Sequence, residues 1–174
     1  PQVKVPENPR GEPKQLIVWH GDKVIVSMYF APAVYSSLGW ASECGKVAYR
    51  DIDNWPKPGY LSKDRSLITG HVWCYGDVYG LSNLDQIRAG DRLEISYNSG
   101  DVVVAIAESD AVSIDKGELN VEKAGERNPT MHNASKARTI RLSSCDTSSP
   151  VRSDGHLSRN EYGLFTVTEI RYVT

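Results

Sequence analysis

The feature that most constrains this chain is how its aliphatic residues are distributed. Leu, Ile and Val fall in many short runs separated by Gly, Pro, Asn, Asp and Ser. Short apolar runs bounded by turn formers read as strands rather than helices. No stretch approaches the roughly 20 apolar residues needed to cross a bilayer. At 174 residues, with 40% hydrophobic and 24% charged side chains, the chain has the size and composition of one globular domain. The expectation is a mostly-β domain of short strands, a barrel or sandwich.

Along the chain, residues 16–19 and 24–26 flank the turn His20-Gly21-Asp22 and read as a hairpin or tight corner. Residues 31–60, broken by Pro32, Gly39, Gly45, Pro56, Pro58 and Gly59, read as a surface loop with at most a short helical turn. Residues 66–69 form a short strand ending in Gly70-His71. Residues 81–87 space their apolar side chains by three, as one or two helical turns would, and close on the turn Arg88-Ala89-Gly90-Asp91. Two strands, residues 92–97 and 102–107, are joined by Asn98-Ser99-Gly100-Asp101, the most secure hairpin in the chain because Asn and Gly accept positive φ. Residues 116–137 are polar and helix-tolerant, with Leu119, Val121 and Met131 as their only large apolar side chains, and read as a surface excursion. A strand at 138–142 precedes Ser143-Ser144-Cys145, a polar loop runs to Asn160, and residues 164–170 form the most strand-like run of all.

Composition excludes some functions. A net charge of −2 offers no basic surplus for nucleic acid, and Lys136 and Arg138 read as a solvated face. The first 14 residues are polar and Pro-rich and read as a linker stub, beyond which a membrane anchor would stand, with the domain proper at 15–174. Asp146 and Asp154 lack regular ligand spacing, so no metal and no cofactor are expected. His20, His132 and His156 lie in or beside turns and read as solvated.

Cysteine and histidine carry the chemistry. A cysteine nucleophile needs a thiolate, a base or cation beside it, and a donor for the oxyanion formed on attack. Cys145 follows a strand, His71 ends another, and Arg159 could supply fixed positive charge, with Arg152 and Arg171 as rivals. Arg171 stands towards the far end of its strand. Of the three cysteines, Cys44 and Cys74 could pair, or Cys74 could simply pack. Three residues after His71 on a strand, Cys74 would point to the opposite face, away from the site.

These residues resemble a family. Thr69-Gly70-His71-Val72, the leucine-bearing segment 81–87, and Arg88-Ala89-Gly90-Asp91 leading into a strand resemble the sortase pattern. Thr139-Ile140-Arg141-Leu142-Ser143-Ser144-Cys145 is similar to that family's Thr-Leu-x-Thr-Cys motif, with Ser144 in place of Thr. Trp55-Pro56-Lys57-Pro58-Gly59 is similar to the class E and F sortases of actinobacteria. The resemblance spans roughly residues 15–174 and implies a single closed β-barrel of about eight strands, with short helices and long loops.

It also implies a cysteine transpeptidase of the extracellular face of the membrane. Such an enzyme cleaves a Leu-Pro-x-Thr-Gly sorting signal between Thr and Gly and transfers the protein to an amine of a cell-wall precursor or a pilin lysine. Cys145, His71 and Arg159 would be catalytic, Ser144 and Ser143 would contact substrate, and residues 116–137 would shape the groove. Two other readings stand beside it. One is a wall transpeptidase acting on D-amino-acid cross-links, although the Ser-His-Gly-Cys cluster of those enzymes is missing at Cys145. The other is a β-domain that binds without catalysing.

Overall fold

The computed structural model describes residues 8–36, 39–51, 57–60, 66–74, 77–78, 80–115, 139–145 and 164–172. Thirteen strands occur among them: β1 (Pro13–His20), β2 (Lys23–Tyr29), β3 (Val34–Ser36), β4 (Gly39–Ala41), β5 (Val47–Tyr49), β6 (Ser66–Gly70), β7 (Trp73–Cys74), β8 (Asp77–Val78), β9 (Arg92–Tyr97), β10 (Val102–Ala107), β11 (Val112–Asp115), β12 (Thr139–Cys145) and β13 (Leu164–Tyr172). A 3₁₀ helix, Gly80–Gln86, is the one helix among the described residues. None there is long and apolar enough to cross a membrane.

The main sheet runs β2-β1-β9-β10-β13-β12-β6-β5, and β11 takes the part of the β13 edge that β10 leaves open. Its two outer strands then meet. Phe30, just past β2, bridges Val47 of β5, and the Ala31 N–H donates to the Val47 carbonyl at 2.9 Å. The expected barrel of about eight strands is therefore present as a curled sheet whose edges touch at Val47. Closure of this kind leaves fewer unpaired edges for another chain to join.

Alternation builds the interior. Leu16 and Val18 of β1, Leu93, Ile95 and Tyr97 of β9, and Val103, Ala105 and Ala107 of β10 are buried, with more exposed residues between them. That is the period of two for a sheet with one face covered. Leu81 and Leu84 of the 3₁₀ helix and Ile87 just after it close over this face. β12 departs from the pattern: Thr139, Ile140, Arg141, Leu142 and Ser144 are all buried, so this central strand is covered on both faces.

Local chemistry sets the corners. The β9–β10 hairpin folds as expected, with Gly100 at φ +92° and its N–H donating to the Tyr97 carbonyl. Asp91, only 6% exposed, accepts from the Arg88 N–H at 2.8 Å and lies 2.7 Å from Nδ1 of His20. His20, expected as a solvated turn residue, thus ties the β1–β2 corner to the start of β9. β1 begins at Pro13, inside the stretch expected as linker. Ahead of it, the Arg10 N–H donates to Asp101 and the Asn98 N–H to the Glu12 carbonyl.

Residues 31–60 differ most from expectation. They contain β3, β4 and β5, and Val47 and Ala48 are completely buried. Three-residue strands are too short to show periodicity, and β5 is held by its neighbours rather than by its own propensity. Lys57 Nζ reaches the Glu12 carboxylate at 2.7 Å, and the Tyr49 hydroxyl donates to the other Glu12 oxygen at 2.7 Å. The Tyr97 hydroxyl donates to the Pro58 carbonyl.

The Lys57 hydrogen bond holds the Glu12 carboxyl below its ordinary value, against a smaller opposing effect of burial. A depressed carboxylate adds stability above its unfolded-state pKa and loses it as pH falls through the folded-state value. Glu12 is 58% exposed, so screening limits the pair to about 0.2–1 kcal/mol. Lys57→Met is expected to lower stability by that amount at neutral pH. Below the carboxylate range it should match the unsubstituted chain, as read by urea unfolding at a series of pH values.

Candidate active site

Two strand ends define the site. β12 pairs in parallel with β6, from Ile140 against Ser66 to Ser143 against Thr69. The Thr69 hydroxyl donates to the Ser143 carbonyl at 3.1 Å, and the Ser143 hydroxyl lies 3.5 Å from Thr69 Oγ1. Cys145 ends β12 two residues beyond Ser143, and His71 stands two residues beyond Thr69. Paired strands run about 4.8 Å apart, so the parallel register sets the ends of β6 and β12 side by side, with His71 just past one and Cys145 closing the other.

The other flank of β12 is covered by β13, which sets Cys145 opposite Phe165. The strand was expected to stop at Leu142 with Cys145 just beyond it. Instead Ser143 and Ser144 continue the ladder, because a strand paired on both sides overrides their weak β-propensity. Ser144 is 1% exposed and Ser143 half-buried.

Gly70 prepares the position of His71. A Cβ there would run into Cδ1 of Leu81 and stand 3.1 Å from Cγ1 of Val47 and 3.2 Å from the Lys46 carbonyl oxygen. The 3₁₀ helix, the seam residue Val47 and the strand end therefore converge on a spot with no room for a side chain. His71 itself is half-buried, and Val72 after it is 2% exposed.

Behind the histidine lies a disulfide. Cys44 and Cys74 are bonded, with Cα atoms 6.1 Å apart, inside the ordinary range for such bridges. Their sulfurs and a ring nitrogen of His71 all lie within 4.8 Å of one another. Cys74 was expected to face away from His71, and this is corrected. Strand alternation does not run through the turn at His71-Val72, since β6 ends at Gly70 and β7 is a separate strand that pairs with β8. With Cys44 and Cys74 bonded, Cys145 is the remaining thiol of the three.

The arginines divide. Arg171 pairs opposite Thr139, at the other end of β12, six residues from Cys145. At about 3.3 Å per residue that is roughly 20 Å, beyond a guanidinium's reach. Arg159 and Arg152 lie outside the described residues, as do segment 116–137, expected to shape a groove, and Trp55, Pro56, Asp146 and Asp154.

No family model and no curated protein sequence matches this chain. The fold, a mostly-β curled sheet, is sortase-like. A solved structure that displays it is the SrtA sortase from Actinomyces oris. It aligns with a TM-score of 0.55 and 17% identity over 98% of this chain and 88% of that one. At this identity the likeness establishes the fold.

Gly70→Ala tests the packing behind His71. The added methyl has a buried leucine, a buried valine and a backbone carbonyl to displace. The substitution is expected to cost about 1–3 kcal/mol, the usual range for overpacking, in chemical denaturation.

Proposed function

We propose that this chain is a sortase-type cysteine transpeptidase with Cys145 as nucleophile, His71 as proton carrier and Arg159 as oxyanion partner. The observation that carries the reading is the parallel β6–β12 pairing in a sortase-like fold, in which the strand that Cys145 closes runs beside the strand that precedes His71. The cysteine usage supports it, because the Cys44–Cys74 bond removes the two competing thiols.

In this proposal the Cys145 thiolate adds to the carbonyl of the Thr-Gly bond in a Leu-Pro-x-Thr-Gly signal. The Arg159 guanidinium faces the developing oxyanion, a task suited to a group that stays protonated and offers several N–H donors. His71 protonates the departing glycine amine, which leaves an acyl-enzyme thioester. An amine from a cell-wall precursor or a pilin lysine gives its proton to His71 and displaces the thiol, and water can replace the amine slowly. Ser143 and Ser144 stand directly before the nucleophile. The Ser143–Thr69 contact keeps the two strand ends in step, and the Ser143 hydroxyl is the more accessible to substrate. The working location is the outer face of a cell membrane.

Mass spectrometry of the chain mixed with a sorting-signal peptide is the test. A covalent adduct is expected with the unsubstituted chain and with the Cys44→Ser, Cys74→Ser pair of substitutions, and none with Cys145→Ala. His71→Ala should slow adduct formation by about 10²–10⁴-fold, the usual contribution of general acid–base catalysis. An adduct that survives Cys145→Ala would remove the enzyme assignment. If the residue 145 thiol also fails to react with an alkylating probe at neutral pH, the non-catalytic binding domain becomes the better reading.

A further inference from the structure

The cluster behind His71 has the composition of a metal site. Cys44, His71 and Cys74 each present a ligand atom, all within 4.8 Å of one another. Cys74 is 1% exposed, whereas Cys44 and His71 are half-buried, so the cluster has a dry floor and an approach from solvent. We propose that, when the Cys44–Cys74 bond is reduced, these three side chains bind a soft divalent metal of the zinc type. Disulfide and metal are then mutually exclusive occupants of one site.

Three arguments converge. Thiolate and imidazole are the donors that zinc selects over the harder cations. His71 and Cys74, separated by two residues with Cys74 closing β7, have the short spacing of a chelating pair, and Cys44 closes the set from a distant segment. A tetrahedral ion with Zn–S near 2.3 Å and Zn–N near 2.0 Å places its ligand atoms roughly 3.4–3.8 Å apart. Atoms gathered within 4.8 Å reach that geometry by side-chain rotation once the sulfurs separate. The fourth position stays open to water.

The chemistry balances with an external reductant, a thiol or a phosphine. Two electrons and two protons enter, the S–S bond breaks and two thiols form. The ion then displaces both thiol protons and gains two bonds to sulfur and one to a ring nitrogen of His71. A two-electron oxidant, molecular oxygen or a low-molecular-weight disulfide, takes two electrons from the two thiolates, the S–S bond re-forms and the ion leaves. In the metal-bound state a nitrogen of His71 is engaged as a ligand, and in the disulfide state it is not. The inference rests on the cluster and stands apart from the transpeptidase reading.

The experiment uses the full chain carrying Cys145→Ser, so that Cys44 and Cys74 are the only thiols. After reduction with a phosphine and without oxygen, Co²⁺ is expected to raise a thiolate-to-cobalt charge-transfer band that saturates at one equivalent and is bleached by Zn²⁺. The unreduced protein should show no band. Adding His71→Ala should weaken binding at least about tenfold. Absence of the band, its presence before reduction, or its indifference to His71→Ala overturns the proposal. If reduction unfolds the chain, Zn²⁺ should restore the native near-ultraviolet circular dichroism, since binding at such a site is also folding free energy. Failure to restore it counts equally against the proposal.

Discussion

Between β6 and β12 the chain runs parallel, while every other ladder among the described strands is antiparallel. This direction matters for chemistry. In an antiparallel pair the two strands finish at opposite ends of the sheet, but in a parallel pair both finish at the same end. A histidine just past one strand and a cysteine closing the other can then occupy one rim, though 74 residues separate them in sequence. Parallel pairing requires a long crossover, and here the chain builds β7 to β11 before it returns. The pairing that underlies the candidate site is therefore also one of the longest-range contacts in the fold, made at a high cost in loop-closure entropy.

What surrounds that pair restrains it. Val47 is bonded at the same time into β5–β6 and into the seam with Phe30, and its side chain lies against the Cα of Gly70. Leu81 presses on the same glycine from the 3₁₀ helix. The Cys44–Cys74 bond then joins the segment before β5 to the turn after His71. Steric exclusion, a backbone bridge and a covalent link thus converge within a few residues of the imidazole. Such supports give a side chain a defined location without using its own polar atoms.

The sequence told most where structure is local. The β9–β10 hairpin was legible because the turn residues and the alternation of Leu93, Ile95, Val103 and Ala105 agree. His71 was legible as a strand-end residue because Gly70 closes its run, whereas Ser143 and Ser144 read as the end of a strand that in fact continues to Cys145. β5 was not, since Pro and Gly on either side of Val47 signal a loop and only tertiary contacts make it a strand. The nearness of Cys74 to His71 was hidden by assuming that one strand continued across both. His-x-x-Cys spacing was the signal available to correct it. The clamp between His20 and Asp91 left no sequence trace, because its partners are 71 residues apart. For the arginine, register sets Arg171 at the end of β12 away from Cys145, and Arg159 and Arg152 lie outside the described residues.

The seam at Val47 determines how such a barrel breathes. Around the rest of the circumference neighbouring strands are stitched by ladders several residues long, whereas β2 and β5 meet through one bridge and the Ala31 hydrogen bond beside it. Local opening begins where the fewest bonds must break together. The cylinder therefore splits along this line first, as a cuff unbuttons, and each remaining strand keeps its partners. Val47 also backs Gly70, so the same fluctuation relaxes the wall behind the imidazole. The line of least resistance in the fold and the wall behind His71 share one residue.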